Sequence, residues 1–330
     1  MSAAQLIQNA WNNQAKWLIV LRPLSWLYRV GFVLNKSLYK AGLKQSYTAP
    51  VPVMVIGNIT VGGSGKTPLL IHLVRYLQNR NVRVGVISRG YGGKGPFPAY
   101  VGLDSDADTA GDEPVLIVQS TGVPMAVGPN RQKSIELLLS KHALDLIICD
   151  DGLQHYALQR DIELAVMDGE RRLGNGWLMP MGPLRETPSR LRQVMAVICN
   201  GGQARPDEIQ MSLQSAPLRN VRTNHVAIIT GAVDALAGIG YPPRFFNSLL
   251  QQGYALNQQV AYADHQQFNA DELQQRFALR PLIMTEKDAV KCRAFALDNW
   301  WYLPVSAQLP DKFATRLLAQ LKELRHGAGL

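Results

Sequence analysis

The sequence predicts an α/β fold in which a mainly parallel sheet, preceded by a basic helical segment, is followed by a second, smaller α/β unit. Three observations lead there. Short β-branched runs alternate with helical patterns, the mark of a parallel sheet with crossover helices. One of those runs leads straight into a glycine-rich loop and a helix. No Asp or Glu occurs before Asp104, whereas Lys and Arg recur throughout that stretch.

The basic segment, residues 1–48, comes first. Between Trp17 and Leu43 it interleaves Trp17, Leu18, Ile19, Val20, Leu21, Trp26, Leu27, Phe32, Val33 and Leu34 with Arg22, Arg29, Lys36 and Lys40. Apolar and cationic side chains mixed in this way suit a helix lying on an anionic lipid surface. A helix packed on its own protein is the plainer alternative. Pro23 breaks or begins a helix, so two helical pieces are expected, the second from about Leu24. No recognition helix or stacking-aromatic motif accompanies the net charge of +9, which argues against nucleic acid as partner. No run of eighteen uncharged apolar residues and no secretory leader is apparent. Cys149, Cys199 and Cys292 are scattered in apolar runs, which suggests neither disulfides nor zinc and fits a reducing compartment.

Residues 49–215 carry the first alternation. Strands are expected at 53–56, 82–88, 123–127, 144–149, 163–167 and 194–199, with helices at 67–79 and 131–141. The polar stretch 201–222, with Pro206 and Pro217, reads as a boundary. Residues 216–330 carry the second alternation, with strands at 225–230, 259–262, 281–285 and 301–305 and helices at 243–252, 271–277 and 312–325.

The first strand runs into Thr60-Val61-Gly62-Gly63-Ser64-Gly65-Lys66-Thr67 and then a helix. Glycines let successive backbone N–H groups point at phosphate oxygens, and the helix N-terminus adds its positive dipole end. Lys66 reaches the β and γ phosphates of a nucleotide and Thr67 offers a hydroxyl to Mg²⁺. The common motif has glycine where Thr60 stands, but the run Gly62 to Gly65 keeps the loop permissive. This makes the first unit P-loop NTPase-like, with ATP and Mg²⁺ as implied cofactors. A second acidic strand end normally stands beside such a loop to hold the metal. Leu144 to Asp151 supplies it, ending in Asp150 and Asp151, at the sheet edge where open α/β sheets bind ligands.

Six runs occur in order: Gly62-Gly63-Ser64-Gly65-Lys66-Thr67-Pro68, Ser88-Arg89-Gly90-Tyr91-Gly92, Gly111-Asp112-Glu113-Pro114, Asp150-Asp151-Gly152-Leu153-Gln154-His155, Pro183-Leu184-Arg185-Glu186 and Thr285-Glu286-Lys287-Asp288-Ala289-Val290. Together they resemble the tetraacyldisaccharide 4'-kinase (lipid A 4'-kinase) family over nearly the whole chain. The resemblance implies two α/β domains joined by a short β linker, with the active site in the cleft between them. It also implies transfer of the ATP γ-phosphate to the 4'-hydroxyl of a tetraacyldisaccharide 1-phosphate at the cytoplasmic face of the inner membrane.

A sugar hydroxyl needs a positioned base, and Asp112, after a glycine turn, is the leading one, with Asp150 and Asp151 as alternatives. The resemblance pairs the base with a histidine of the second domain, a position His265 fills. Arg131 and Arg185, then Arg89 and Lys94, are the cations expected on phosphate oxygens, because a planar fork binds them bidentately. Tyr91, Gln154 and His155 are expected at the substrate entrance. The run at Thr285 reads either as a loop that closes over nucleotide or as a helix cap. A membrane-surface switch ATPase is the rival function. Its relatives commonly carry a second lysine near the loop start, where this chain has Thr60.

Overall fold

The computed structural model describes residues 3–327; residues 1–2 and 328–330, the outer ends of the expected 1–48 and 216–330 units, lie outside the described residues. Helix α1 (Ala3–Asn12) leads through a 3₁₀ segment (Lys16–Leu21) into α2 (Arg22–Lys40), whose first turn contains Pro23. Proline is tolerated there because the first turn leaves its N–H groups unpaired. The segment docks on the protein through its polar groups: Ser25 Oγ donates to the carbonyl of Leu178 at 3.0 Å and accepts from the amide of Met181, and Trp11 donates to the carbonyl of Pro180. Leu18 and Ala10 also pack against Met181, but most of the larger apolar side chains face outward. Val20, Trp26, Leu27, Val30 and Leu34 are each more than half exposed. Stretch 16–40 is also, by length and composition, able to cross a membrane. Lys16, Arg22, Arg29, Lys36 and Lys40 interrupt it, so it holds no run of eighteen uncharged apolar residues.

The first unit contains β1 (Val53–Gly57), α3 (Lys66–Gln78), β2 (Val84–Ser88), β3 (Ala99–Val101), α4 (Ala107–Ala110), α5 (Asp112–Thr121), β4 (Met125–Val127), α6 (Arg131–Leu139), β5 (Leu146–Asp150), β6 (Ile162–Asp168), β7 (Ala196–Asn200) and β8 (Glu208–Ser215). β1 lies between β5 and β6, parallel to both. Its residues and those of β5 are buried throughout, as expected of strands covered on both faces. Leu69, Leu73 and Leu77 of α3 cover one face together with Val115 and Ile117 of α5. Ile135 and Leu138 of α6 cover the other.

The second unit contains β9 (Arg219–Asn220), β10 (Ala232–Ala237), α7 (Pro242–Gln251), β11 (Ala255–Ala261), α8 (Ala270–Arg276), β12 (Leu282–Thr285), α9 (Glu286–Cys292) and β13 (Trp300–Leu303). They form a second sheet in the order β11-β10-β12-β13-β9. The chain then returns. β14 (Val305–Gln308) pairs antiparallel with β8 as the edge of the first sheet, and α10 (Asp311–Gly327) places Phe313, Leu317 and Leu321 in the first core. The 216–330 unit therefore divides, because the amphipathic terminal helix finds its apolar surface on the first sheet.

Two further differences concern strands. No strand forms over 225–230, where Ile228 is 89% exposed; the sheet strand is β10, six residues long with five of them buried. Within the polar stretch 201–222 lies β8, whose alternating burial at the sheet margin reads as loop in sequence.

Candidate active site

The glycine-rich loop leaves the C-terminal end of β1 and enters α3. Gly62 and Gly65 adopt φ +98 and +96, values that disfavour any side chain. A Cβ on Gly65 would also lie 2.2 Å from Nδ2 of Asn200, which donates to the carbonyl of Ser64 at 3.0 Å. The start of the loop is fixed by the Pro183 to Arg185 run: Thr60 bridges Leu184, and the amide of Val61 donates to the carbonyl of Pro183. Lys66 opens α3, with Thr67 beside it.

The acidic strand end lies against this loop. Lys66 Nζ is 3.6 Å from Asp151 Oδ1 and donates to Asn58 Oδ1 at 3.3 Å. Arg185 Nη1 contacts both carboxylate oxygens of Asp151, at 3.1 and 2.9 Å. Burial alone would raise Asp151, but Lys66 and Arg185 together hold it at about 2. Asp150 differs. It is 1% exposed, Ser88 donates to its Oδ2 at 3.4 Å, and its Oδ1 is buried with no hydrogen-bond partner. Burial, then the charge of Glu113, push it up to about 7. The charges of Lys66 and Arg131 offset this only in part, and further positive charge at the unpartnered oxygen is what a divalent cation would supply.

A second cluster spans the two units. Asp112 opens α5 after Gly111, whose φ of +97 brings the chain against the backbone of Gly90 and Tyr91. Asp112 Oδ1 lies 3.0 Å from His265 Nδ1 and accepts from the amide of Glu113 at 2.8 Å. Burial opposes ionisation of Asp112, yet His265 and Lys287 hold it at about 2. His265 has the left-handed φ of +60. Burial lowers it, but the hydrogen bond to Asp112 turns the net shift upward. Its ring and that of Tyr91 meet edge to face, with centroids 4.8 Å apart. Lys287 completes the cluster: Nζ donates to Asp264 Oδ1 at 2.8 Å and Glu113 Oε1 at 3.0 Å. Burial would lower Lys287, but Glu113, Asp264 and Asp112 hold it well above the ordinary lysine range. Of the two readings of the Thr285 run, the structure shows the cap: Thr285 Oγ1 accepts from the amide of Asp288 and starts α9. Lys287, Glu113 and Asp264 were not assigned roles from sequence, since their partners are distant along the chain.

The other expected residues separate into groups. Arg131 is buried at the start of α6 and donates to the carbonyl of Gly128 at 2.7 Å. Its charge, after burial itself, lowers His155 to about 4, so that imidazole is neutral. Gln154 donates to the carbonyl of Asn58 at 3.1 Å and to the buried Glu186 at 2.8 Å. It thus braces the loop. Arg89 and Tyr91 are exposed at the rim, and Lys94 is paired with Asp108 away from the loop at 3.1 Å.

Contacts also cross between the units at the loop tip. Arg171 donates to the carbonyl of Gly63 at 2.5 Å and lies over the ring of Tyr241, while Arg244 pairs with Asp168 at 2.8 Å. A Cβ on Gly240 would lie 2.2 Å from the amide nitrogen of Gly63, and Gln8 of α1 donates to the carbonyl of Gly240 at 3.1 Å.

A phosphate loop faced by acidic side chains, in a chain that also joins a carboxylate and an imidazole from two units, defines a P-loop enzyme of phosphoryl chemistry. More narrowly, the chain belongs to the tetraacyldisaccharide-1-P 4'-kinase family, whose model matches residues 17–322. It is 70% identical to the tetraacyldisaccharide 4'-kinase of Tolumonas auensis over 98% of each chain. It is 51% identical to that of Aeromonas salmonicida, over 98% of this chain and all of the other. In fold it is similar to LpxK from Aquifex aeolicus, crystallised in complex with ATP, with a TM-score of 0.77 and 25% identity over 92% of this chain and 99% of that one.

Proposed function

We propose that this kinase transfers the γ-phosphate of ATP to the 4'-hydroxyl of a tetraacyldisaccharide 1-phosphate, working at the cytoplasmic face of the inner membrane. The observation that carries the reading is the buried contact of Asp112 with His265, which brings a carboxylate and an imidazole together from two units in a chain with a phosphate loop.

The loop amides and the N-terminus of α3 bind the phosphates. Lys66 and Arg185, gathered by Asp151 at the loop, turn to phosphate oxygens, and Arg131 adds charge behind them. Thr67, Asp150 and Asp151 are the residues that would hold Mg²⁺, and the unpartnered Oδ1 of Asp150 fits that role; the ion supplies charge neutralisation on the phosphates. Oδ1 of Asp112 is engaged by His265 and Glu113, so Oδ2 is the oxygen that receives the acceptor proton. A base held at about 2 stays ionised at every physiological pH. It suffices because the loose transition state of phosphoryl transfer asks for little proton removal before the new bond forms. Arg89 and Tyr91 at the rim, with Gln154 and His155 behind them, line the approach for the sugar. The outward apolar face of 16–40 rests in the lipid that carries the substrate.

The test is transfer of labelled γ-phosphate from Mg-ATP to tetraacyldisaccharide 1-phosphate in detergent micelles, with wild type, Lys66→Ala, Asp112→Ala and Asp112→Asn. The proposal expects transfer to collapse in all three variants while the Asp112 variants still bind ATP. Folded wild type that hydrolyses ATP and transfers nothing would instead establish the switch ATPase.

A further inference from the structure

Lys287 lies where the two units meet, within reach of Asp112, Glu113, Asp264 and His265. Its Nζ is 3.4 Å from His265 Nε2 and 3.8 Å from Asp112 Oδ2. An ammonium group has donors and no acceptor, and an ionised carboxylate has acceptors and no donor. A neutral imidazole between them therefore has one compatible arrangement: the proton on Nδ1, facing Asp112, and the lone pair on Nε2, facing Lys287. The competitor is Asp264, whose Oδ1 lies 3.7 Å from Nε2 and would favour a proton there. At that distance Asp264 is beyond hydrogen-bond reach of Nε2, and the ammonium of Lys287, 2.8 Å from the same oxygen, is the group that faces the ring there. Tyr91 and the imidazole meet edge to face.

We propose that Lys287 is a positioning residue that selects the Nδ1–H tautomer of His265, so that the imidazole donates to Asp112 Oδ1 and leaves Oδ2 for the proton of the acceptor hydroxyl. This rests on the reading of Asp112 as base. It assigns to the Thr285–Asp288 run a role distinct from nucleotide contact: the cap presents Lys287 to the cluster from the first turn of α9. The second unit then contributes the imidazole together with the group that fixes its proton.

The experiment is ¹⁵N NMR of the histidine rings in the full-length protein in detergent micelles at alkaline pH, with His265 assigned by its loss in His265→Gln. Wild type is expected to show a protonated Nδ1 and a bare Nε2. In Lys287→Met, with no ammonium facing Nε2, forms protonated on Nε2 should become populated through its contact with Asp264, and kcat should fall on the order of 10²-fold with KM for ATP unchanged. A wild-type ring protonated on Nε2 overturns the proposal, and that reading does not depend on any Lys287 variant folding. So does a Lys287→Met protein that retains kcat, or one that loses ATP affinity alone. Failure of the kinase reading is separate: it appears as absent phosphate transfer by wild type, whatever the tautomer.

Discussion

The phenolic hydroxyl of Tyr28 donates to the main-chain carbonyl of Arg185 at 3.0 Å. Tyr28 sits in α2, otherwise a helix of outward apolar side chains, and the guanidinium of Arg185 is the group that holds Asp151 beside the phosphate loop. The exposed apolar helix and the phosphate loop are thus linked through one residue. Tyr28→Phe removes the bond and keeps the ring. A loss of about 1 kcal/mol is expected, read as a thermal midpoint lower by roughly 2 °C. An unchanged midpoint would show that the bond contributes nothing.

The exposed face of α2 allows a test of lipid attachment that leaves the fold alone. Leu27 is 69% and Leu34 59% exposed, so charge at either costs the protein little. In a bilayer interface each leucine contributes about 1.5–3 kcal/mol. Leu27→Glu combined with Leu34→Glu should weaken partitioning to anionic vesicles by about 100-fold or more, with ATP binding intact. Vesicle co-sedimentation measures this, and equal partitioning of the variant would place the contact elsewhere.

Asp150 gives the proposed metal site a pH signature. Its carboxyl is raised to about 7, so the folded state favours the protonated form, and the charged form becomes costly as pH climbs from the ordinary carboxylate range through neutrality. A cation that binds the ionised form competes with that proton. Mg²⁺ should therefore bind about tenfold more weakly at pH 6 than at pH 8, and the difference should vanish in Asp150→Asn. Titration calorimetry with Mg²⁺ and ATP at the two pH values measures it; pH-independent affinity in wild type would remove Asp150 from the metal set.

Gly240 is held against Gly63 so closely that no side chain fits. In Gly240→Ala one of two backbones must shift, at a cost of about 1–3 kcal/mol, and the shift falls on the tip of the phosphate loop. KM for ATP should rise about tenfold while kcat changes less, a split that steady-state kinetics at saturating lipid resolves. A variant with wild-type KM would mean that the two units separate there without consequence for nucleotide.

The parts of this molecule that were legible in sequence are those whose determinants are local. The run from Val53 to Thr67 announces strand, loop and helix in one stretch, and the strand ends at Asp150 and Asp151 follow from continuous apolar burial. Asp112 and His265 were found by motif and resemblance; they lie 153 positions apart, a separation that no periodicity bridges. Lys287 shows where sequence reasoning stops: a threonine followed by acidic residues reads as a cap, and a cap it is, but the direction of its lysine is set by packing of α9 against α5. β8 was hidden for another reason. A strand at the sheet margin, half in water, has too little apolar alternation to stand out from a linker.

The return of the chain to its first sheet bears on how the protein is made. Leu317 and Leu321 of α10 pack in the same core as Met54 and Ile56 of β1, so the nucleotide-binding unit lacks part of its interior until α10 has left the ribosome. Contacts between segments so far apart in sequence are slow to form, and apolar surface left waiting for them invites aggregation during synthesis. The second unit, whose sheet lies between Arg219 and Leu303, has no such wait. It is the part of the nascent chain equipped to fold first, although it is encoded after most of the other.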